Sequence, residues 1–164
     1  MYARVMTSSP KPGSAETAIA EWPGHIGAFK GKGLVAGYLT EVAGASDVVE
    51  RGFVTYSNEA KAELLGVPMA LIAEKGAVSA EVARAMADGA LGVSRAHICV
   101  AVTGVTGPGG GTDKKPVGLI YIAIARQGRP TRATEFQFGD IGRGGVRRRA
   151  VSAAFSMIRD AMNS

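Results

Sequence analysis

Tyr56 and Lys61 stand five residues apart in the stretch Tyr56-Ser57-Asn58-Glu59-Ala60-Lys61. A lysine one turn inside a helix, beside the end of a strand and facing a pocket, is desolvated, and its neutral amine then serves as a base. On a solvent-facing turn the same residue is only a solvated cation. A second group is Thr103-Gly104-Val105-Thr106-Gly107-Pro108-Gly109-Gly110-Gly111-Thr112. Its glycines let backbone amides converge on an oxygen, and Thr103 and Thr106 add hydroxyl donors. It contains neither Gly-Lys-Ser/Thr nor a GxGxxG spacing, so it is not a nucleoside-triphosphate or dinucleotide loop; a long hairpin loop accounts for its composition equally well. The third group is Arg143 with Arg147, Arg148 and Arg149. Cations near the start of a helix oppose its dipole unless an anion sits among them. A phosphate would resolve the conflict, held by helix amides and a bidentate guanidinium.

The elements that must position these groups follow from pattern. A helix is expected over 34–43, ending at Gly44, and a strand over 52–56. A further helix would begin at Asn58 as its N-cap and run to Gly66. This places Tyr56 at a strand's carboxyl end and Lys61 one turn into a helix, at the edge where open α/β sheets bind ligands. A short helix over 68–74 and a longer one over 80–93, capped by Ser79, come next. The run 97–103 reads as a strand buried on both faces, with Cys99 as a small core residue. The glycine-rich loop then leads to an apolar strand over 117–125. The polar–apolar alternation of 131–138 marks a half-exposed edge strand, paired antiparallel. A final helix covers 141–162. This order predicts a three-layer α/β/α sandwich with a mixed, mostly parallel sheet. One domain is expected over 30–164, preceded by an irregular segment over 1–29 with at most a short helix over 15–20.

A length of 164 residues suits one core. No apolar run approaches the roughly 20 residues that span a bilayer, and residues 1–12 lack the pattern of a secretion signal. A soluble cytoplasmic protein, with no membrane partner, is expected. Cys99 is the only cysteine, and with His25 and His97 it makes too small a set for zinc, so no metal is expected. Seven arginines between 126 and 150 face only Glu135 and Asp140, a local excess equal to the whole-chain charge of +5. One local basic patch without interleaved aromatics fits a small anionic ligand better than a nucleic acid.

Read together, Gly52-Phe53-Val54-Thr55-Tyr56-Ser57-Asn58-Glu59-Ala60-Lys61, Gly76-Ala77-Val78-Ser79, the 103–110 segment, Lys115-Pro116-Val117-Gly118, and Gly139-Asp140 with Arg143 resemble the CinA C-terminal domain family. The resemblance runs from about Gly33 to Ser164. The family comprises the nicotinamide-nucleotide amidohydrolases, or NMN deamidases, also known as competence/damage-inducible proteins. It implies hydrolysis of the carboxamide of nicotinamide mononucleotide to nicotinic acid mononucleotide and ammonia, without cofactor or metal, in pyridine nucleotide salvage. In the family a serine of a Glu-Ser-Cys-Thr-Gly-Gly motif attacks the amide and a lysine of the Tyr-Ser-Asn-Glu-Ala-Lys motif is its base. The resemblance thus assigns Lys61 as base and Tyr56 to hold or polarise the nucleophile. Thr103, Gly104, Thr106 and Gly107 would line the reacting amide or the oxyanion, and Arg143 would bind the substrate's phosphate. A nucleotide substrate and a homodimer are the implied partners.

This chain departs from the family before Leu34, where the serine motif is missing and the helix and strand expected ahead of it are unrecognisable. Before Leu34 it reads Ala28-Phe29-Lys30-Gly31-Lys32-Gly33, and the serine's position falls on Phe29. A lysine base without its serine has nothing to activate, which impairs turnover. Three readings follow: a nucleotide-binding homologue that does not hydrolyse, a nucleophile elsewhere such as Ser14 or Thr17, or a shifted reading frame upstream of Gly33. Ser57 belongs to the Tyr-Ser-Asn segment and is not promoted to that role.

Overall fold

The computed structural model describes residues 2–7, as a backbone strand, and residues 33–163. Among these residues five strands form one sheet: β1 (Tyr2–Thr7), β2 (Val49–Val54), β3 (Ala96–Gly104), β4 (Leu119–Arg126) and β5 (Arg129–Gln137). The helices are α1 (Leu34–Thr40), α2 (Asn58–Leu65), α3 (Met69–Lys75), α4 (Ala80–Gly92) and α5 (Gly142–Met162), with a 3-10 turn at Ala45–Asp47. The expected helix ends at Thr40 rather than Ala43, with Glu41 as its C-cap, and Gly44, at positive φ, leads into the 3-10 turn instead.

The helix ends follow local chemistry. Ser79 caps α4, its hydroxyl accepting from Val82 N at 3.3 Å. At α2 the cap is Ser57, not Asn58: the Ser57 hydroxyl accepts from Ala60 N at 3.0 Å and Asn58 already lies in the first turn. Both residues suit the role, and the extended backbone at Ser57 decides between them. Gly66, left-handed at φ 64°, closes α2.

The strand order is β2-β1-β3-β4-β5, and every neighbouring pair is antiparallel. This overturns the mostly parallel sheet. A strand buried on both faces is apolar whichever way it runs, so burial carries no direction. β2 and β3 do run the same way, with the helices between them, but they are not neighbours. β1 lies between and opposes both. It also corrects the irregular reading of the first residues, since Tyr2–Thr7 is an inner strand of the sheet. The short helix expected over 15–20 lies outside the described residues.

Side-chain alternation along β3 and β4 builds two cores. Ile98, Val100, Ile120, Ile122 and Ile124 pack with α1 and α5, against Tyr38, Val146, Phe155 and Ile158 among others. Cys99, Ala101, Ala123 and Ala125 pack with α2, α3 and α4, where Ala83, Met86, Ala87 and Ala90 face them. Burial pushes the Cys99 thiol up to about 12, in keeping with a core role. β5 is the exposed edge strand anticipated from its alternation. Among the described residues no helix is long and apolar enough to cross a membrane.

Candidate functional site

The antiparallel order sets where the candidate residues emerge. β2 and β3 both oppose β1, and β5 opposes β4, which itself opposes β3; β2, β3 and β5 therefore end at the same edge of the sheet. Register agrees, with Tyr2 opposite both Val54 and Val102, Gly104 opposite Ile120, and Gln137 opposite Leu119. Tyr56 and Lys61 follow β2, Thr103 to Gly107 close or follow β3, and Arg143 follows β5. The sheet thus delivers all three groups to one edge.

Lys61 is 1% exposed, an uncommon state for a lysine. Its Nζ donates to the carbonyls of Ser57 at 2.9 Å and Tyr56 at 3.4 Å, so the strand-to-helix turn curls around the amine. Among the described residues no carboxylate forms an ion pair with it. Desolvation holds its pKa below the ordinary lysine value, with Glu59 opposing weakly. The side chain of Tyr56 is 63% exposed, and it is its carbonyl that touches Lys61. Ser57 caps the helix through its hydroxyl oxygen, and the Glu59 carboxyl is held below its usual range chiefly by its own backbone amide and then by the neighbouring Ser57 hydroxyl.

Thr103 is buried on the α4 face, and its hydroxyl donates to the carbonyl of Ala77 at 2.6 Å. Its proton is committed to the α3–α4 junction, leaving the oxygen as an acceptor. Gly104 ends β3 where a Cβ would run into the carbonyl of Leu119 and the side chain of Ile120. Close strand packing alone demands glycine there.

Arg143 and the loop meet directly. Its Nη1 donates to Thr106 Oγ1 at 2.9 Å and to the Gly107 carbonyl at 3.0 Å. Arg143 is exposed, and no acidic residue occupies the first turn of α5. The guanidinium therefore lies at a helix N-terminus among polar neutral groups, and Asp140 accepts from the Gly142 amide at 3.3 Å ahead of it. Arg148 and Arg149 are exposed too. The structure thus joins Arg143 to Thr106 and Gly107, and keeps the hydrogen bonds of Lys61 within its own turn.

Two further residues at this edge carry no signal that pattern reading uses. The Thr55 hydroxyl, just before Tyr56, is fully buried with no hydrogen-bond partner among the described residues. Lys115 donates from Nζ to the carbonyl of Lys75 at 2.7 Å. Its segment Lys115-Pro116-Val117-Gly118 stands out in the sequence, but nothing local shows where that amine reaches. Phe29, Ser14 and Thr17 lie outside the described residues. Among the described residues no three His, Cys, Asp or Glu converge as metal ligands would.

Comparison with known proteins adds to this geometry. Residues 31–162 match the family model for the CinA C-terminal domain. A putative competence-damage inducible protein of Caldicellulosiruptor bescii is 49% identical over 128 residues, which are 77% of this chain and 30% of that protein. A CinA-like protein of Geobacter sulfurreducens is 60% identical over 93 residues, 57% of this chain and 22% of that one. The chain spans less than a third of the length of these curated relatives. The crystal structure of the competence/damage inducible protein CihA from Agrobacterium tumefaciens superposes with a TM-score of 0.80 at 42% identity, covering 96% of this chain and 100% of that one. A CinA superfamily protein from Escherichia coli gives 0.72 at 30% identity, covering 77% of this chain and 72% of that one.

Proposed function

Because this chain belongs to the CinA C-terminal domain family, we propose that it is a nicotinamide-nucleotide amidohydrolase, converting nicotinamide mononucleotide and water to nicotinic acid mononucleotide and ammonia. The observation that carries this reading is the buried amine of Lys61, without an ion-pair partner among the described residues, at the edge where the glycine-rich segment and Arg143 emerge. A desolvated amine is neutral over a wider pH range than an exposed one, and a neutral amine accepts a proton.

In this reading Lys61 takes the proton of a hydroxyl as its oxygen adds to the carboxamide carbon. The C–N bond then breaks, the amine returns the proton to the departing ammonia, and water cleaves the acyl-enzyme. Thr103, Gly104, Thr106 and Gly107 line the reacting amide or the oxyanion, Arg143 serves the phosphate, and Tyr56 the nucleophile. Ser57 serves as a cap and is not assigned as the nucleophile; Ser14 and Thr17 are the hydroxyls to test. We place the protein in the cytoplasm as a homodimer, without cofactor or metal.

One feature favours a second reading, a nucleotide-binding homologue without turnover: Phe29 stands where the family has its serine. Ammonia release from nicotinamide mononucleotide decides between them. The amidase reading expects saturable release that falls about 10²–10⁴-fold in Lys61→Ala. It also expects kcat/KM to rise with pH through a midpoint below the ordinary lysine value of 10.5, because the folded-state pKa is depressed and the active form is neutral. Binding abolished by Arg143→Ala, with no ammonia from the wild type, establishes the silent homologue. Sedimentation of the intact chain checks the dimer.

A further inference from the structure

The glycine-rich segment is fastened on two sides. On one side Arg143 of α5 holds Thr106 and Gly107. On the other, the fastening is the junction between α3 and α4, where three successive carbonyls each accept from a side chain, the outer two from elsewhere in the chain and the middle one from Ser79 of the junction itself. Lys75 O accepts from Lys115 Nζ at 2.7 Å, Gly76 O from Ser79 Oγ at 2.9 Å, and Ala77 O from Thr103 Oγ1 at 2.6 Å. Lys75 is the last residue of α3, so the Lys115 ammonium meets the negative end of that helix. The fit is close: a Cβ on Gly76, already at φ 75°, would lie 2.5 Å from Lys115 Nζ.

Lys115 is also tied firmly to the segment it would hold. Thr112 and Lys115 exchange backbone hydrogen bonds at 3.0 and 3.1 Å, and Thr112 Oγ1 accepts from Lys115 N at 3.1 Å. The base closes through Gly118 N to Val105 O at 2.8 Å and Val105 N to Leu119 O at 2.9 Å. A pull on the Lys115 amine is therefore transmitted to residues 105–112. The junction it grips belongs to the helical layer that carries Lys61, since α2, α3 and α4 share one core.

We propose that Lys115 is a positioning residue: its ammonium tethers the glycine-rich segment to the end of α3 and so sets Thr106 and Gly107 relative to Lys61. The inference rests on the nucleotide-site reading above. Lys115→Met keeps the length of the side chain and removes the charge; Lys115→Arg keeps the charge. Amide hydrogen exchange is measured on both and on the wild type, with kcat, KM and the Kd for nicotinamide mononucleotide. In Lys115→Met the amides of 105–111 exchange about tenfold faster while those of α4 do not change, which separates a released segment from a misfolded chain. kcat falls about tenfold with KM little altered, and Lys115→Arg restores most of it. If the 105–111 amides exchange as in the wild type, or if they loosen while kcat, KM and Kd stay unchanged, the tether is not a positioning device. A wild type that neither binds nor hydrolyses the nucleotide sinks the amidase reading instead, and the exchange comparison still decides whether Lys115 holds the segment.

Discussion

The two faces of the sheet are packed on different terms. Toward α1 and α5 the core is made of branched and aromatic side chains, with Ile122, Val146 and Ile158 fully buried. Toward α2, α3 and α4 it is largely alanine, with Ala83, Ala87, Ala90, Ala101, Ala123 and Ala125 all at 0% exposure. Small residues bring backbones together. At Gly89 of α4 a Cβ would run into the carbonyl of Leu65 at the end of α2. The face that carries Lys61 is thus held by close backbone approach, which leaves the lysine's turn little room to shift. The opposite face is held by side-chain volume, which repacks more readily.

Substitutions at the two faces can break or sharpen this contrast. The largest effect is expected at Gly89→Ala, which forces α2 off α4 because backbone meets backbone; a loss of about 4 kcal/mol or more in denaturant unfolding is expected, and a loss below about 1 kcal/mol would refute the close approach. Next comes Ile122→Ala on the bulky face. A cost of about 3 kcal/mol is expected there, from lost transfer energy and the cavity left behind, with the pH profile of activity unchanged. The smallest is Thr55→Val. The hydroxyl has no partner among the described residues, so its removal strands none of them, and thermal denaturation is expected to show a change within about 1 kcal/mol, on the stabilising side. A clear destabilisation by Thr55→Val would reveal that the hydroxyl works in the folded protein.

Legibility followed how local each signal was. Ser79 as a cap, α5 from its apolar stripe, and β5 from its alternation were readable because each depends on neighbours within a few residues. Tyr2–Thr7 was not. With Arg4 in its middle and Pro10 and Pro12 soon after, it gives no sign of an inner strand; its place depends on partners about 50 and 100 residues away. At the site, Arg143 meets the glycine-rich segment through Thr106 and Gly107, joining two groups that stand apart in the sequence. The commitment of the Thr103 proton to Ala77 and the reach of Lys115 to Lys75 did not appear in the sequence, since a side chain's partner across 26 or 40 residues leaves no mark on its own neighbourhood.

By itself, then, the order of residues determined the helices, the Ser79 cap and most of the strands, because periodicity and capping are properties of short stretches. Only the tertiary structure decided strand direction and neighbours, the insertion of β1 between β2 and β3, and the burial of Lys61. Those depend on which distant surfaces close on one another, and a desolvated amine exists only once the helices of its face have closed around it.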